Sequence, residues 1–424
     1  MLKNMLTVLR GTVAAQVIGF VALPLLSRLY TPEAFGMFQL FQSSLAPLLV
    51  VAAMRFEIAL LRATDGPELA ASLQLCLLIN LLLALAVTLA CGAVSWLVPE
   101  SLTVTTKGVL WFMPVGVLVG GGLQTIGYLA LRKQAFAAGA AAKMAQAGGY
   151  VGSAVGIGTL AAASGGLVIA DILGRLASIV TFALNRTIFD RSLFAASTRA
   201  ELLRVARKFR ELPLVSAPGQ LINSAGGVMT SVLMYGAFDA AVSGHYGLVE
   251  RSLMLPVGMV AVAVSQVFTA DFSTSLRDGG SKALTLYRGL VRRMFFLGLI
   301  PACLVALLAP TLFEVVFGTK WAESGVFAQI MAPLMLVALV TGSVNMAITI
   351  LGWQKVQLGW EVSRLALVSI AWLCVVKFDL SPGTAVAMHV ASSIAMSLVY
   401  LWLADHMIRR HATLQPKSEP RATP

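Results

Sequence analysis

Four arginines stand inside strongly apolar runs of this sequence: Arg55, Arg175, Arg251 and Arg364. Carboxylates accompany them at Glu57, Asp171, Glu250 and Glu361, and Arg28 closes the first run. A charged side chain at mid-bilayer depth costs about 2.5–3.5 kcal/mol on insertion scales, so each needs a partner, water or a task. Spacing sorts them. On a helix, Asp171 and Arg175 (i, i+4) or Glu361 and Arg364 (i, i+3) share a face and can pair. Glu250 and Arg251 point about 100° apart, and Arg55 and Glu57 about 200°, so these four need partners on another helix, or water. A guanidinium matches the two oxygens of a phosphate or carboxylate at once, which makes a cationic lining for an anionic cargo one reading. Ion pairing that fixes helix packing is the other. Gln16, Gln220, Asn223 and Asn345, with Gln39, Gln42, Gln124 and Gln266, suit a hydrated path, or else hydrogen bonds between helices.

The elements that carry these residues follow from composition. The chain has 424 residues, 58% hydrophobic and 12% charged; a soluble domain is about 25% charged. Continuous apolar runs of the length that crosses a bilayer as a helix recur throughout. They predict an all-α, multi-pass membrane protein with spans near 7–29, 36–61, 72–98, 108–131, 143–164, 165–189, 212–236, 243–270, 294–318, 325–352, 356–376 and 383–407. The net charge of +12 gathers in alternate loops. That pattern sets both termini in the cytoplasm and excludes a nucleic-acid footprint. No Walker A loop, HExxH or cysteine–histidine cluster occurs, so neither ATP, nor a cofactor, nor a metal is expected. The four cysteines read as packing residues. Gly148, Gly152 and Gly156 have the four-residue spacing of a close helix contact. Prolines 24, 114, 218 and 256 predict kinks.

At mid-chain, "TRAELLRVARKFRE" sets Leu202, Leu203, Ala206 and Phe209 opposite Arg204, Arg207, Lys208 and Arg210. This fits a helix lying on an anionic inner leaflet. The expected organisation is a six-helix bundle over 1–189, a cytoplasmic basic connector over 190–211, a second six-helix bundle over 212–407 and a disordered tail over 408–424. "FGMFQLF" and "SGHYGLV" open the second and eighth spans alike. Gly36 matches Gly244, Phe38 matches Tyr246, and Pro47 and Pro256 follow. With the span count, this favours two parallel repeats.

"GTVAAQVIGFVALPLLSRLYTPEAFGMF", with Pro24, Arg28, Pro32, Phe35 and Gly36 at their spacings, resembles the opening of Wzx-type polysaccharide (O-antigen) flippases. These belong to the multidrug/oligosaccharidyl-lipid/polysaccharide exporter superfamily. "MRFEIALL" is similar to that family's ending of the second helix, and "KFRELPLVSAPGQLIN" with "GHYGLVERSLMLPVG" to the start of its second half. The resemblance implies a V-shaped pair of six-helix bundles in the cell inner membrane. It implies alternating access that carries polyprenyl-diphosphate-linked oligosaccharide to the outer leaflet, with membrane lipid, a glycan polymerase and other assembly proteins as partners. In that setting Arg251, Arg364, Arg175, Arg55 and Arg28 are the diphosphate candidates. Gln16, Gln220, Asn223 and Asn345 would line the sugar path, and Glu57, Asp171, Glu250 and Glu361 would couple or pair. Two other functions stay open. A membrane glycan polymerase or ligase would need a sizeable external loop, and a drug exporter of the same superfamily would need an acidic cavity for cations.

Overall fold

The computed structural model describes residues 2–97, 104–160, 165–185, 187–189, 193, 197–277 and 281–414. Helices α1 (Leu2–Leu29), α2 (Pro32–Val50), α3 (Ala59–Arg62), α4 (Pro67–Leu97), α5 (Val104–Arg132), α6 (Phe136–Leu160) and α7 (Gly166–Ala183) come first. They are followed by α8 (Arg199–Lys208), α9 (Ala217–Ala237), α10 (Ala240–Val249) and α11 (Leu255–Arg277). Next come α12 (Ser281–Phe317), α13 (Ala322–Ser343), α14 (Ala347–Ile350), α15 (Gln354–Lys377) and α16 (Pro382–Leu414). No strand occurs among the described residues. Each span read from the sequence overlaps one of the long helices. Among the described residues, nine segments are long and apolar enough to cross a membrane. α2, α6 and α9 fall short because glutamine, serine and glycine dilute their hydropathy.

Contacts divide the chain into Met1–Gly247 and Leu248–Pro424. The division falls beyond the basic connector because α9 and the start of α10 pack on α2 in the first unit: Gln39 Nε2 donates to Ser231 Oγ at 3.0 Å. Within that unit α6 lies along α1 and α7. The contact is not made by Gly148, Gly152 and Gly156, which meet nothing. Gly149 abuts Ala177 and Gly174, and Gly158 abuts Tyr30. The tight stripe is offset by a fraction of a turn from the one the spacing suggested.

Local signals explain several ends. Thr31 caps α2 by accepting the Ala34 N–H, with Pro32 in the first turn and Glu33 beside it. Two of the four predicted kinks are π turns. Residues 212–216 widen ahead of Pro218, and 250–254 ahead of Pro256. A proline has no N–H to give and its ring clashes with the carbonyl four residues back, which a wider turn relieves. Pro24 and Pro114 stay inside α1 and α5.

α8 forms where the connector was expected, behind a complete capping box between Thr198 and Glu201. Its apolar face meets protein rather than lipid. Val205 and Phe209, flanked by Leu202 and Ala206, join Ala53, Phe56, Ala59, Ala71 and Cys76 in one core. Lys208 pairs with Glu68 on α4. Leu203, assigned to the apolar face by spacing, is 46% exposed. Arg186 and most of 190–196 lie outside the described residues. The tail expected to be disordered from 408 begins as helix, since α16 runs to Leu414 and buries Ile408; residues 415–424 lie outside the described residues. Cys76 and Cys91 are buried as packing residues, whereas Cys303 is exposed.

Candidate functional site

α5 carries the sequence Gly120-Gly121-Gly122-Leu123-Gln124 past two polar clusters of the first unit. The first forms because α2 does not continue to 61. It ends at Val50, and Met54 (φ 48°) and Arg55 (φ 67°) turn left-handed before a short 3₁₀ segment. The helical angle that kept Arg55 and Glu57 apart therefore does not apply. Arg55 Nη1 lies 3.5 Å from Glu57 Oε1, and Gln124 Nε2 donates to the same oxygen at 3.3 Å. Glu57 is 1% exposed and Arg55 19%. Glu57 Oε2 and Arg55 Nε, both buried, have no hydrogen-bond partner among the described residues. Asn80 enters from α4, where its Nδ2 donates to the Leu118 carbonyl at 2.9 Å and its Oδ1 rests where a Gly121 side chain would be.

In the second cluster Arg175 Nε donates to Asp171 Oδ2 at 2.7 Å, as the i, i+4 spacing requires. Gln42 of α2 donates to Asp171 Oδ1 at 3.3 Å. The Arg175 Nη1 would lie 3.2 Å from a β-carbon on Gly120. Glycine thus makes room on one face of α5 for an arginine and on another for an asparagine.

The second unit has its own cluster. Arg364 Nη2 donates to Glu361 Oε2 at 2.9 Å, the expected i, i+3 pair, and its guanidinium stands 5.6 Å from the centre of the Trp360 ring. Trp360 is fixed in turn by donating to the Met396 carbonyl at 2.7 Å. The pair remains about one-third open, at 31% and 32%. Glu250 and Arg251 ride on the π turn that precedes α11. Among the described residues, no group of three or more His, Cys, Asp or Glu is arranged to hold a metal.

The family profile described as "polysaccharide biosynthesis protein" matches residues 25–326, a stretch containing Arg28, Arg55, Arg175 and Arg251. The chain belongs to that family. No functionally curated protein matches this polysaccharide biosynthesis protein in sequence. Its fold is that of solved transporters. An inward-facing multidrug resistance MATE family transporter of the MOP superfamily superposes with a TM-score of 0.66 at 16% identity, over 97% of this chain and 96% of the other. The outward-facing conformation of a MATE family transporter of the same superfamily gives 0.53 at 15% identity, over 96% of each chain. A MOP superfamily transporter from Pyrococcus furiosus, described as having a binding pocket of reverse polarity, gives 0.51 at 16% over 96% and 94%. These likenesses fix the architecture of this polysaccharide biosynthesis protein as the twelve-helix membrane fold read from its sequence.

The amide side chains separate into two kinds. Gln39, Gln42 and Gln124 bind other helices, the packing alternative. Gln16, Gln220, Gln266 and Asn223 are exposed. Asn345 is exposed as a residue, yet its Oδ1 accepts from Ser265 at 2.9 Å and its carbonyl accepts from Tyr400 at 2.6 Å. Arg28 is exposed at the end of α1. Spacing alone passed over Asn80, although one amide in "CLLINLLLALAV" was a visible signal. It also passed over the triple glycine whose middle member, Gly121, faces Asn80, and over Trp360, four residues before Arg364.

Proposed function

We propose that this polysaccharide biosynthesis protein is a flippase. It translocates polyprenyl-diphosphate-linked oligosaccharide from the cytoplasmic to the outer leaflet of the inner membrane by alternating access, with both termini in the cytoplasm. One observation carries the reading: the polysaccharide biosynthesis profile runs through the helices of a chain with the MOP transporter fold. Glycan hydroxyls cannot enter hydrocarbon unpartnered, at about 1–3 kcal/mol each, whereas a polyprenyl tail can stay in lipid. A protein serving polysaccharide synthesis with this architecture has that problem to solve.

Arg251 and Arg364 are the first candidates for the diphosphate, followed by Arg175, Arg55 and Arg28. Arg364 is supported by its partial exposure beside Glu361, which leaves guanidinium donors open to an anion. Arg175 and Arg55 are more enclosed. Their carboxylates Asp171 and Glu57, with Glu250 and Glu361, hold the arginines or exchange them during the cycle. A charge of about −2 moving outward across 100 mV (inside negative) is downhill by about 4–5 kcal/mol, so the membrane potential is a sufficient drive.

The test is a deletion strain. Lipid-linked oligosaccharide should accumulate, sealed from reagents applied outside, and the gene should release it on return. Normal surface glycan without the protein overturns the proposal. Elongation of lipid-linked glycan by the purified protein alone would replace it with a polymerase. Export of organic cations without any lipid-linked glycan would replace it with a drug exporter.

A further inference from the structure

In the second unit an open groove of about 1010 Å³ separates the end of α11 from the start of α12. Its wall is apolar: Val264, Val267 and Phe268 from α11, and Leu286 and Leu290 from α12. Its polar rim holds Asp271 and Ser275 on one side and Lys282 and Arg293 on the other. The cations of α12 are not alike. Arg288 donates twice to Asp405, at 2.7 and 3.1 Å, on a different face. Arg293 and Lys282 form no ion pair with any described residue, and neither does the Asp271 carboxylate. Ser275 gives its proton to the Asp271 carbonyl at 2.9 Å and keeps its lone pairs. A β-carbon on Gly289, midway along the groove, meets nothing within 4 Å.

The geometry points to a docking groove for the diphosphate–sugar headgroup of the lipid, occupied before translocation; this deepens the flippase reading and rests on it. Arg293 immediately precedes the apolar run 294–318 read from the sequence, within the longer apolar segment Lys282–Phe317 of α12. Its guanidinium takes the diphosphate by charge-assisted hydrogen bonds. Lys282 and Arg293 stand eleven positions apart (293 − 282), about 16 Å along the helix axis at 1.5 Å per residue. A diphosphate carrying its first sugars spans that distance. The Asp271 carboxylate, which pairs with no described residue, repels a bare anion and accepts hydrogen bonds from sugar hydroxyls, so the groove discriminates against ordinary anionic phospholipid. Drug-sized ligands occupy pockets of about 300–1,000 Å³. This groove therefore admits the reducing-end sugars and leaves the rest of a long glycan outside.

The test uses the full chain in phosphatidylcholine nanodiscs, with farnesyl-diphosphate disaccharide as probe and farnesyl diphosphate and phosphatidylglycerol as comparators. Arg293→Ala should weaken probe binding about tenfold. Asp271→Asn should weaken the probe and spare farnesyl diphosphate. Gly289→Leu fills open space, so it should block the probe without unfolding the chain, and Lys355→Ala, outside the groove, should bind as the wild type does. If the wild type flips lipid-linked glycan while all three groove variants bind the probe normally, the groove assignment is wrong and the flippase reading stands. Equal loss of probe and phosphatidylglycerol in Arg293→Ala would make this a general anionic-lipid site and overturn the assignment. A wild type that neither binds the probe nor flips lipid-linked glycan removes the flippase reading, and the groove assignment with it.

Discussion

Gly244 faces Gly36. A β-carbon on Gly244 would stand 3.0 Å from the Gly36 amide nitrogen and overlap the Pro32 carbonyl, while one on Gly36 would overlap the carbonyl of Ala240. The two residues hold the same place in "FGMF" and "SGHY", 208 positions apart (244 − 36). The echo marks a crossing at which α2 and α10 touch backbone to backbone, beside the Gln39–Ser231 hydrogen bond.

Alanine at either glycine must therefore push backbone against backbone. Overpacking costs about 1–3 kcal/mol where side chains can adjust, and here none can. We expect Gly36→Ala and Gly244→Ala to lower the thermal midpoint of the purified chain by several degrees. Gly19→Ala on α1, where the new carbon meets open space, should leave it unchanged or higher. Equal melting of all three would mean that α2 and α10 do not cross there.

Arg55 does two things at once: its side chain meets Glu57 and its backbone sits at φ 67°. Glycine removes the first and relieves the second. A left-handed conformation costs a non-glycine residue roughly 1–2 kcal/mol. Arg55→Gly should therefore be about 1 kcal/mol more stable than Arg55→Ala. Both should fall below the wild type, because a carboxylate that is 1% exposed loses its cation. A chain in which Arg55→Ala outlasts Arg55→Gly under denaturant has an unbroken second helix.

The same break shows where sequence reading stops. Long helices were legible because hydrophobic length alone dictates them, and the Asp171–Arg175 and Glu361–Arg364 pairs because helical spacing does. "VVAAMRFEIALL" contains neither glycine nor proline, so nothing local announces that it turns. It turns because Ala53, Phe56 and Ala59 gain a core with α4 and α8. That core is also why α8 presents its apolar face to protein: an amphipathic pattern states that one face is covered, not by what. The α11–α12 groove was illegible for a related reason. Asp271, Lys282 and Arg293 lie on two elements, and only their packing brings them to one rim.

The glycine run of α5 permits a contrast within three consecutive residues. A side chain on Gly121 would overlap Asn80 Oδ1 and come within 2.7 Å of Ala52, while one on Gly122 meets nothing. Gly121→Ala should destabilise the protein by about 1–3 kcal/mol, displacing an amide already short of one hydrogen bond. Gly122→Ala should be neutral or stabilising by about 0.5–1 kcal/mol, the helix preference of alanine over glycine. Paired melting curves would decide, and a costlier Gly122→Ala would mean that α5 is rotated about its axis.

Acid should loosen α8 from its start. The Thr198 backbone N–H, then its hydroxyl, donate to the Glu201 carboxylate and hold its pKa below the ordinary 4.5. A depressed carboxylate pKa contributes stability in full above the unfolded value. That contribution is lost as pH falls through the folded one. α8 should thus be unchanged at neutral pH and fray only below 4.5. A nitroxide at Leu203→Cys, in a Cys303→Ser background, reports this as rising mobility on acidification. Thr198→Ala lacks the hydroxyl that accepts the Glu201 N–H, so it should be mobile at neutral pH and respond less to acid. The Phe209 and Val205 contacts are apolar and should keep the helix docked while its first turn opens. A label at Leu203 equally immobile at neutral pH and well below 4.5 would show that these contacts alone, and not the cap, hold α8 in place.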